Sequence, residues 1–202
     1  MKTILAWVLF FLLTGQGFGR IFTDKKGRKI EAEFVEANDV EVTVKLQRNG
    51  RAYRIKIEAL SEEDGAFVAK MRAARKISEF ALTNQGKKVG NGECWTLANE
   101  AFKVAGVKRP SEDLRVWGGV VDWKKEDVLP GDILELRAAK FSNGQRSGPK
   151  HTAVVVKKSM RKGEVMVCHQ NWGNPGKKVS MLMFYLDQLE EGSAVIYRYV
   201  KK

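Results

Sequence analysis

The 202-residue chain predicts an α+β protein in two parts, a small antiparallel β module followed by a domain in which one helix packs on an antiparallel sheet. Three observations carry that expectation. Period-two alternation of apolar and polar residues dominates positions 30–57. A stripe of apolar residues at helical spacing follows Cys94. Strand-like runs separated by Gly and Pro turn signals fill positions 129–200. With 44% hydrophobic residues, the chain can bury one sizeable core or two small ones.

Met1-Lys2 and the apolar run Ile4–Leu13, ending at Gly17-Phe18-Gly19, read as an export signal cleaved after Gly19. The run is short of the ~20 residues a spanning helix needs, so no membrane span is expected after cleavage. The expected location is secreted or periplasmic, and the expected domains are 1–19 (signal), 20–75 and 76–202. The net charge of +12 falls to +11 without Lys2. Residues 76–202 hold 22 basic and 14 acidic side chains, against 13 and 10 in residues 20–75. A basic field attracts anionic polymers. For an exported protein these are wall polymers, anionic lipid or acidic matrix rather than nucleic acid, and solubility alone is an equal explanation. Two cysteines exclude a disulfide-dense scaffold.

In the first module Ile30, Ala32 and Phe34 alternate with Glu31 and Glu33, and Val40, Val42, Val44 and Leu46 alternate with polar residues. Asn49-Gly50 predicts a two-residue hairpin turn into Tyr53, Ile55 and Ile57. Ser61 with Glu62, Glu63 and Asp64 predicts a capped helix start. The segments Arg20–Gly27, Ile30–Val35 and Leu60–Asp64 resemble the Sla-type homology domain, an SH3-like barrel. That resemblance implies a protein or peptide ligand for this module, against the plainer reading of a barrel that only spaces or docks its neighbour.

The second module opens on Gly90-Asn91-Gly92-Glu93-Cys94, a glycine-broken loop that delivers a cysteine to the first turn of a helix. Glycines there permit positive φ, and a helix start favours thiolate over thiol. Leu97, Ala98, Ala101, Phe102 and Ala105 give that helix a buried stripe. Leu129-Pro130-Gly131-Asp132 predicts a type II turn, and His151–Val156 predicts an inner strand, apolar on both faces. The neighbouring strand 164–171 sorts Val165, Val167, His169 and Asn171 to one face and Met166, Cys168 and Gln170 to the other. If His169 faces the site, Cys168 faces away. That parity disfavours a Cys94–Cys168 disulfide, and it disfavours zinc on Cys94, Cys168, His151 and His169. No cofactor and no metal are expected.

A thiol, a base and an orienting group therefore stand in chain order as Cys94, His151 and then His169 or Asn171. Trp95, Trp117 and Trp172 are candidate substrate-binding walls, although buried aromatics more often belong to a core. Gly92–Ala98, Arg115–Gly118, Leu129–Ile133, His151–Val155 and His169–Trp172 resemble the successive motifs of CHAP and NlpC-type cysteine peptidases. They also resemble the cysteine-proteinase-fold domain of fungal actin-patch proteins. The resemblance implies a papain-like fold, Cys94 as nucleophile, His151 as general base, and His169 with Asn171 as further polar members. It also implies a peptidoglycan or peptide substrate cleaved through a thioester. Two other outcomes remain open: acyl transfer by the same site, and a non-catalytic adaptor that recognises peptides without cutting them.

Overall fold

The computed structural model describes residues 19–200 apart from 112, 114, 159, 160 and 174. The expected signal segment, up to residue 18, lies outside the described residues. Strands β1 (Arg20–Thr23), β2 (Lys29–Ala37), β3 (Glu41–Leu46) and β4 (Ala52–Lys56) form an antiparallel meander in chain order. The alternation seen in the sequence buries Ala32, Val42, Val44 and Leu46 with Phe22, Leu60 and Val68. Past β4 the chain makes a single 3-10 turn, Ile57–Ala59, and returns to β1. There the Lys25 N–H donates to the Ala59 carbonyl at 2.9 Å and the Ser61 N–H to the Thr23 carbonyl at 2.9 Å.

The β3–β4 connection differs from the expected two-residue turn. Leu46 N–H donates to the Arg51 carbonyl at 2.9 Å and Gly50 N–H to the Leu46 carbonyl at 2.8 Å, so residues 47–50 form a longer loop. A two-residue type I′ turn needs positive φ at both central residues. Here Gly50 adopts it, at 68°, and Asn49 does not.

Helix α1 (Glu62–Thr83) starts at the expected cap, with the Asp64 N–H donating to Ser61 Oγ at 3.2 Å. It then runs unbroken across residues 75 and 76, where the sequence suggested a domain boundary. Its first half supplies Val68 to the core of the first sheet, and its second half supplies Ile77 and Ala81 to a second core. One helix thus serves both units. The Pro130-Gly131 turn forms as expected, with Asp132 N–H donating to the Leu129 carbonyl at 3.0 Å and Gly131 at φ 91°. It sits hard against α1, since a Cβ on Gly131 would fall 2.2 Å from the Ala74 carbonyl oxygen.

The second unit is a six-stranded antiparallel sheet in the order β5-β10-β6-β7-β8-β9. Its strands are β5 (Gly119–Val121), β6 (Ile133–Phe141), β7 (His151–Lys157), β8 (Glu164–His169), β9 (Ser180–Tyr185) and β10 (Leu189–Arg198). Strand β7 lies between β6 and β8 and is buried on both faces from His151 to Val156, as its composition predicts. Helix α2 (Cys94–Val104) covers one face, where Leu97, Ala98, Ala101 and Phe102 meet Ile133, Val154, Val156 and Cys168. Leu134, Leu136, Ala153, Val155, Val165, Val167 and Phe184 form the core on the opposite face. Every β6–β8 side chain therefore has an address, on the α2 side or on the far side.

Candidate functional site at the start of helix α2

The loop that presents Cys94 takes the backbone shape its glycines allow. Gly90 and Gly92 have φ of 57° and 85°. A Cβ on Gly92 would lie 2.9 Å from Lys177 Cβ, so only glycine fits without a shift. The loop is held from outside by Gln170, which is fully buried at the end of β8. Gln170 Oε1 accepts from the Val89 N–H at 3.1 Å, while Nε2 donates to the Val89 carbonyl at 3.0 Å, the Glu93 carbonyl at 2.8 Å and Thr96 Oγ1 at 2.8 Å. At the rim, the Glu93 carboxylate accepts from Lys177 Nζ and from Asn171 Nδ2 at 3.0 Å. The Lys177 contact is the main reason its pKa lies below the ordinary carboxylate value.

Cys94 is the first residue of α2 and half-buried. Burial pushes its thiol pKa up. Hydrogen bonding by Thr152 opposes that shift, and the charge of the Glu135 carboxyl adds to it. Glu135 on β6 pairs in register with Thr152 on β7, and both project to the α2 side. The Glu135 carboxylate is 1% exposed and accepts from Thr152 Oγ1 at 2.8 Å and from Trp117 Nε1 at 3.3 Å. Burial raises its pKa to about 7, against the two hydrogen bonds that lower it.

The histidines lie elsewhere. His151 and His169 are each 3% exposed, and their rings meet edge to face with centroids 5.2 Å apart. Trp172 packs on both, at 4.5 Å from His151 and 5.8 Å from His169, and its other neighbour is Phe184 of the far-side core. His151 Nε2 and His169 Nδ1 have no hydrogen-bond partner among the described residues. Desolvation, with His169 adding to it at His151, lowers the two pKa values to about 3 and about 4. The expected parity of β8 is present, but the face assignment is reversed. Cys168 looks toward α2 and His169 looks away from it. Cys94, at the start of α2, and His151 consequently lie on opposite faces of the sheet, and the sheet residues that act on the thiol are Thr152 and Glu135.

Of the remaining candidates, Asn171 (φ 61°) reaches Glu93 at the rim of the loop and not the imidazoles. Trp117 is corrected from a substrate wall to a core residue: it has no exposed surface, lies edge-on to Phe102 at 5.4 Å and is covered by the Arg109 guanidinium at 5.1 Å. Trp95 is half-buried against the α2-side core. Both cysteines are free thiols, and burial pushes Cys168 up to about 12. Among the described residues no three His, Cys, Asp or Glu side chains are placed to hold a metal ion, and no helix is long and apolar enough to cross a membrane. Sequence reasoning missed Glu135, Thr152 and Gln170 as site residues, because a single Glu, Thr or Gln within a strand pattern does not announce the partner it will meet.

The family model described as "AIM3/BBC1 Cysteine proteinase-fold domain" matches residues 67–202, about two thirds of the chain. A curated relative, "SH3 domain-containing protein C23A1.17" of Schizosaccharomyces pombe, is 23% identical over 209 residues. That match covers 89% of this chain and 12% of the relative, so the chain spans about an eighth of the relative's length. A solved structure, NlpC1 from Trichomonas vaginalis, aligns with a TM-score of 0.45 and 21% identity, over 90% of this chain and 66% of that one.

Proposed function

The chain belongs to the AIM3/BBC1 cysteine proteinase-fold domain family, and from that premise we propose that it is a peptide- or protein-binding domain rather than a hydrolase built on Cys94 and His151. One observation carries the reading: Cys94 stands at the start of α2 on one face of the sheet, His151 lies with Trp172 on the other, and the sheet residues that act on the thiol are Thr152 and Glu135. A thiol hydrolase needs a base within hydrogen-bond reach of the sulfur. A buried thiol whose pKa is raised is a poor nucleophile at neutral pH. The ligand-facing surface in this reading is the loop 90–94 with the Glu93–Asn171–Lys177 rim, where hydrogen-bonded polar groups stand together at the surface.

Within the same reading, the first sheet is an SH3-like barrel of the Sla type that offers a second binding surface. Its support is the return of residues 59–61 to β1, which draws the ends of the meander together. A second reading, the exported cysteine hydrolase acting on peptidoglycan or peptide, is favoured by the half-exposed Cys94 at a helix start.

The two readings part on one experiment. The purified chain and its Cys94→Ala variant are each incubated with peptidoglycan and with an unfolded protein substrate, and new termini are sought by mass spectrometry. In parallel both are used to select ligands from a displayed peptide library. The binding reading expects no Cys94-dependent termini and peptides that both versions retain. Fragments that appear only with Cys94 present, and vanish in His151→Ala, would overturn it in favour of the hydrolase.

A further inference from the structure

The backbone of β9 faces two ways, and the fold uses one of them. Leu186, just past the strand, donates its N–H to the Gly163 carbonyl at 2.7 Å, on the β8 side. Val179, just before it, turns both groups the other way: its N–H donates to the Lys87 carbonyl at 2.8 Å, and its carbonyl accepts from the Gly86 N–H at 2.9 Å. Within the strand, the Met183 carbonyl accepts from Gln145 Nε2 at 3.0 Å. The register with β8 is unbroken from Ser180 to Tyr185. Antiparallel alternation therefore sends the even-numbered N–H and C=O groups to β8 and those of Met181 and Met183 outward. Among the described residues, the Met183 N–H and both Met181 groups have no partner on that side.

We propose that this edge takes an extended peptide segment as a further strand of the sheet, with an apolar stretch along Met181–Met183 and acidic residues at the end beside Val179. The proposal rests on the peptide-binding reading and names the mode and the chemistry of the ligand.

β9 is an outermost strand, and from Ser180 to Tyr185 it has no charged residue, no proline and no bulge, the devices that ordinarily close an exposed edge to other strands. Its outer row is already begun. Residues 86 and 87 make one strand-like pairing at Val179, and the Gln145 amide stands at Met183 where a peptide N–H would stand. In strand addition the main chain supplies affinity and alternate side chains supply selectivity. Met181 is 47% exposed and Met183 half-buried, and their thioether side chains adapt to varied apolar partners.

Charge fixes the rest of the ligand. Lys87, which pairs with Val179, and Lys88 are exposed, and so is Lys178. A Cβ on Gly92 would lie 2.9 Å from both Lys88 Cε and Lys177 Cβ, so these lysines join the start of β9 to the rim of the Cys94 loop. Such a cluster attracts carboxylates. The open stretch lies between the pairing at Val179 and the 3-10 turn Leu186–Gln188. An edge bounded at both ends fits one extended chain better than the flank of a second copy, and the net charge of +12 opposes self-association.

The test selects short peptides from a displayed random library on the whole chain and measures the affinity of synthetic copies of those recovered. The expected peptides join an apolar stretch to acidic residues, and their binding weakens with added salt. Methylating the peptide's backbone nitrogens at alternate positions should weaken binding roughly tenfold or more in one parity and leave the other unchanged. Met181→Pro removes an outward N–H that the fold does not use, so the variant should fold and lose binding to a similar degree. Amide exchange at Met181 and Met183 should slow when peptide is bound to the wild-type chain. Should Met181→Pro not fold, the methylated series and the exchange decide. Peptides that bind Met181→Pro as tightly as wild type, or that tolerate methylation in both parities, overturn the proposal and leave the binding reading standing. Self-association that Met181→Pro abolishes gives the edge to a second copy and also overturns it. A library that yields no ligand overturns both.

Discussion

Gln170 Nε2 donates to the Glu93 carbonyl oxygen at 2.8 Å, tying the end of β8 to the residue that precedes Cys94. The same side chain makes three further hydrogen bonds to Val89 and Thr96, so one buried amide sets the position of the whole loop. The two N–H groups of Nε2 face three acceptors, so one of them is shared, and the donor capacity of the amide is fully used.

Gln170→Leu keeps the volume and removes every one of those bonds. The Val89 N–H then loses its partner, which costs about 1–3 kcal/mol for a buried group, while the Val89 carbonyl keeps the Gly92 N–H and the Glu93 carbonyl keeps the Thr96 N–H. Chemical denaturation should show a loss of about 1–3 kcal/mol, and amide exchange should quicken selectively across residues 89–96. Uniform exchange along the chain would mean that the clamp is not local.

The buried histidine pair makes stability depend on pH. Both imidazoles titrate lower in the folded chain, at about 3 and about 4, than their ordinary value of 6.5. The unfolded chain therefore binds more protons between those limits. Stability is at its full value above pH 6.5 and declines as pH falls through 6.5 toward 4. Replacing one ring by His169→Phe removes one of these groups and should flatten the decline. Thermal unfolding at pH 7.5, 6, 5 and 4.5 checks this, with an expected difference in slope worth a few kcal/mol across the range. Parallel slopes in wild type and variant would show that the rings are not held neutral.

Gly131 couples the second sheet to α1. At φ 91°, and with the Ala74 carbonyl oxygen 2.2 Å from where a Cβ would stand, Gly131→Ala must strain the turn and push it off the helix. The expected cost is about 3 kcal/mol or more, read as a fall in the unfolding midpoint. For the same reason a chain cut to residues 76–202, which loses Ala74 and half of α1, should be less stable than one cut to residues 62–202.

Much of this architecture was legible in local chemistry. The Ser61 cap, the Pro130-Gly131 turn, the helix opening at Cys94 and the doubly buried β7 follow from residues that can do little else where they stand. The facing of the sheet was not legible. Period-two alternation groups His169 with Val165 and Val167, and Cys168 with Met166, but it does not say which group meets α2 when both faces of the strand are buried. The apolar residues on the two sides of β7 and β8 are nearly equivalent, so only the packing of α2 decides. Glu135 lay hidden for a related reason. Between Leu134 and Leu136 it reads as an outward residue, and only its pairing with Thr152 and Trp117 places it inside. The boundary expected near residues 75–85 rested on the polar break at Gln85–Lys88, while the helix that bridges both cores has no break of its own to announce.

The central claim is that Cys94 has no imidazole partner, and the most direct measurement is the rate of its alkylation by iodoacetamide at pH 6, in the wild-type chain and in His151→Phe. The structure predicts a rate no faster than that of a free thiol and no change on replacing the imidazole. A wild-type Cys94 that labels well above a free thiol at pH 6, and slows when His151 is lost, would contradict it.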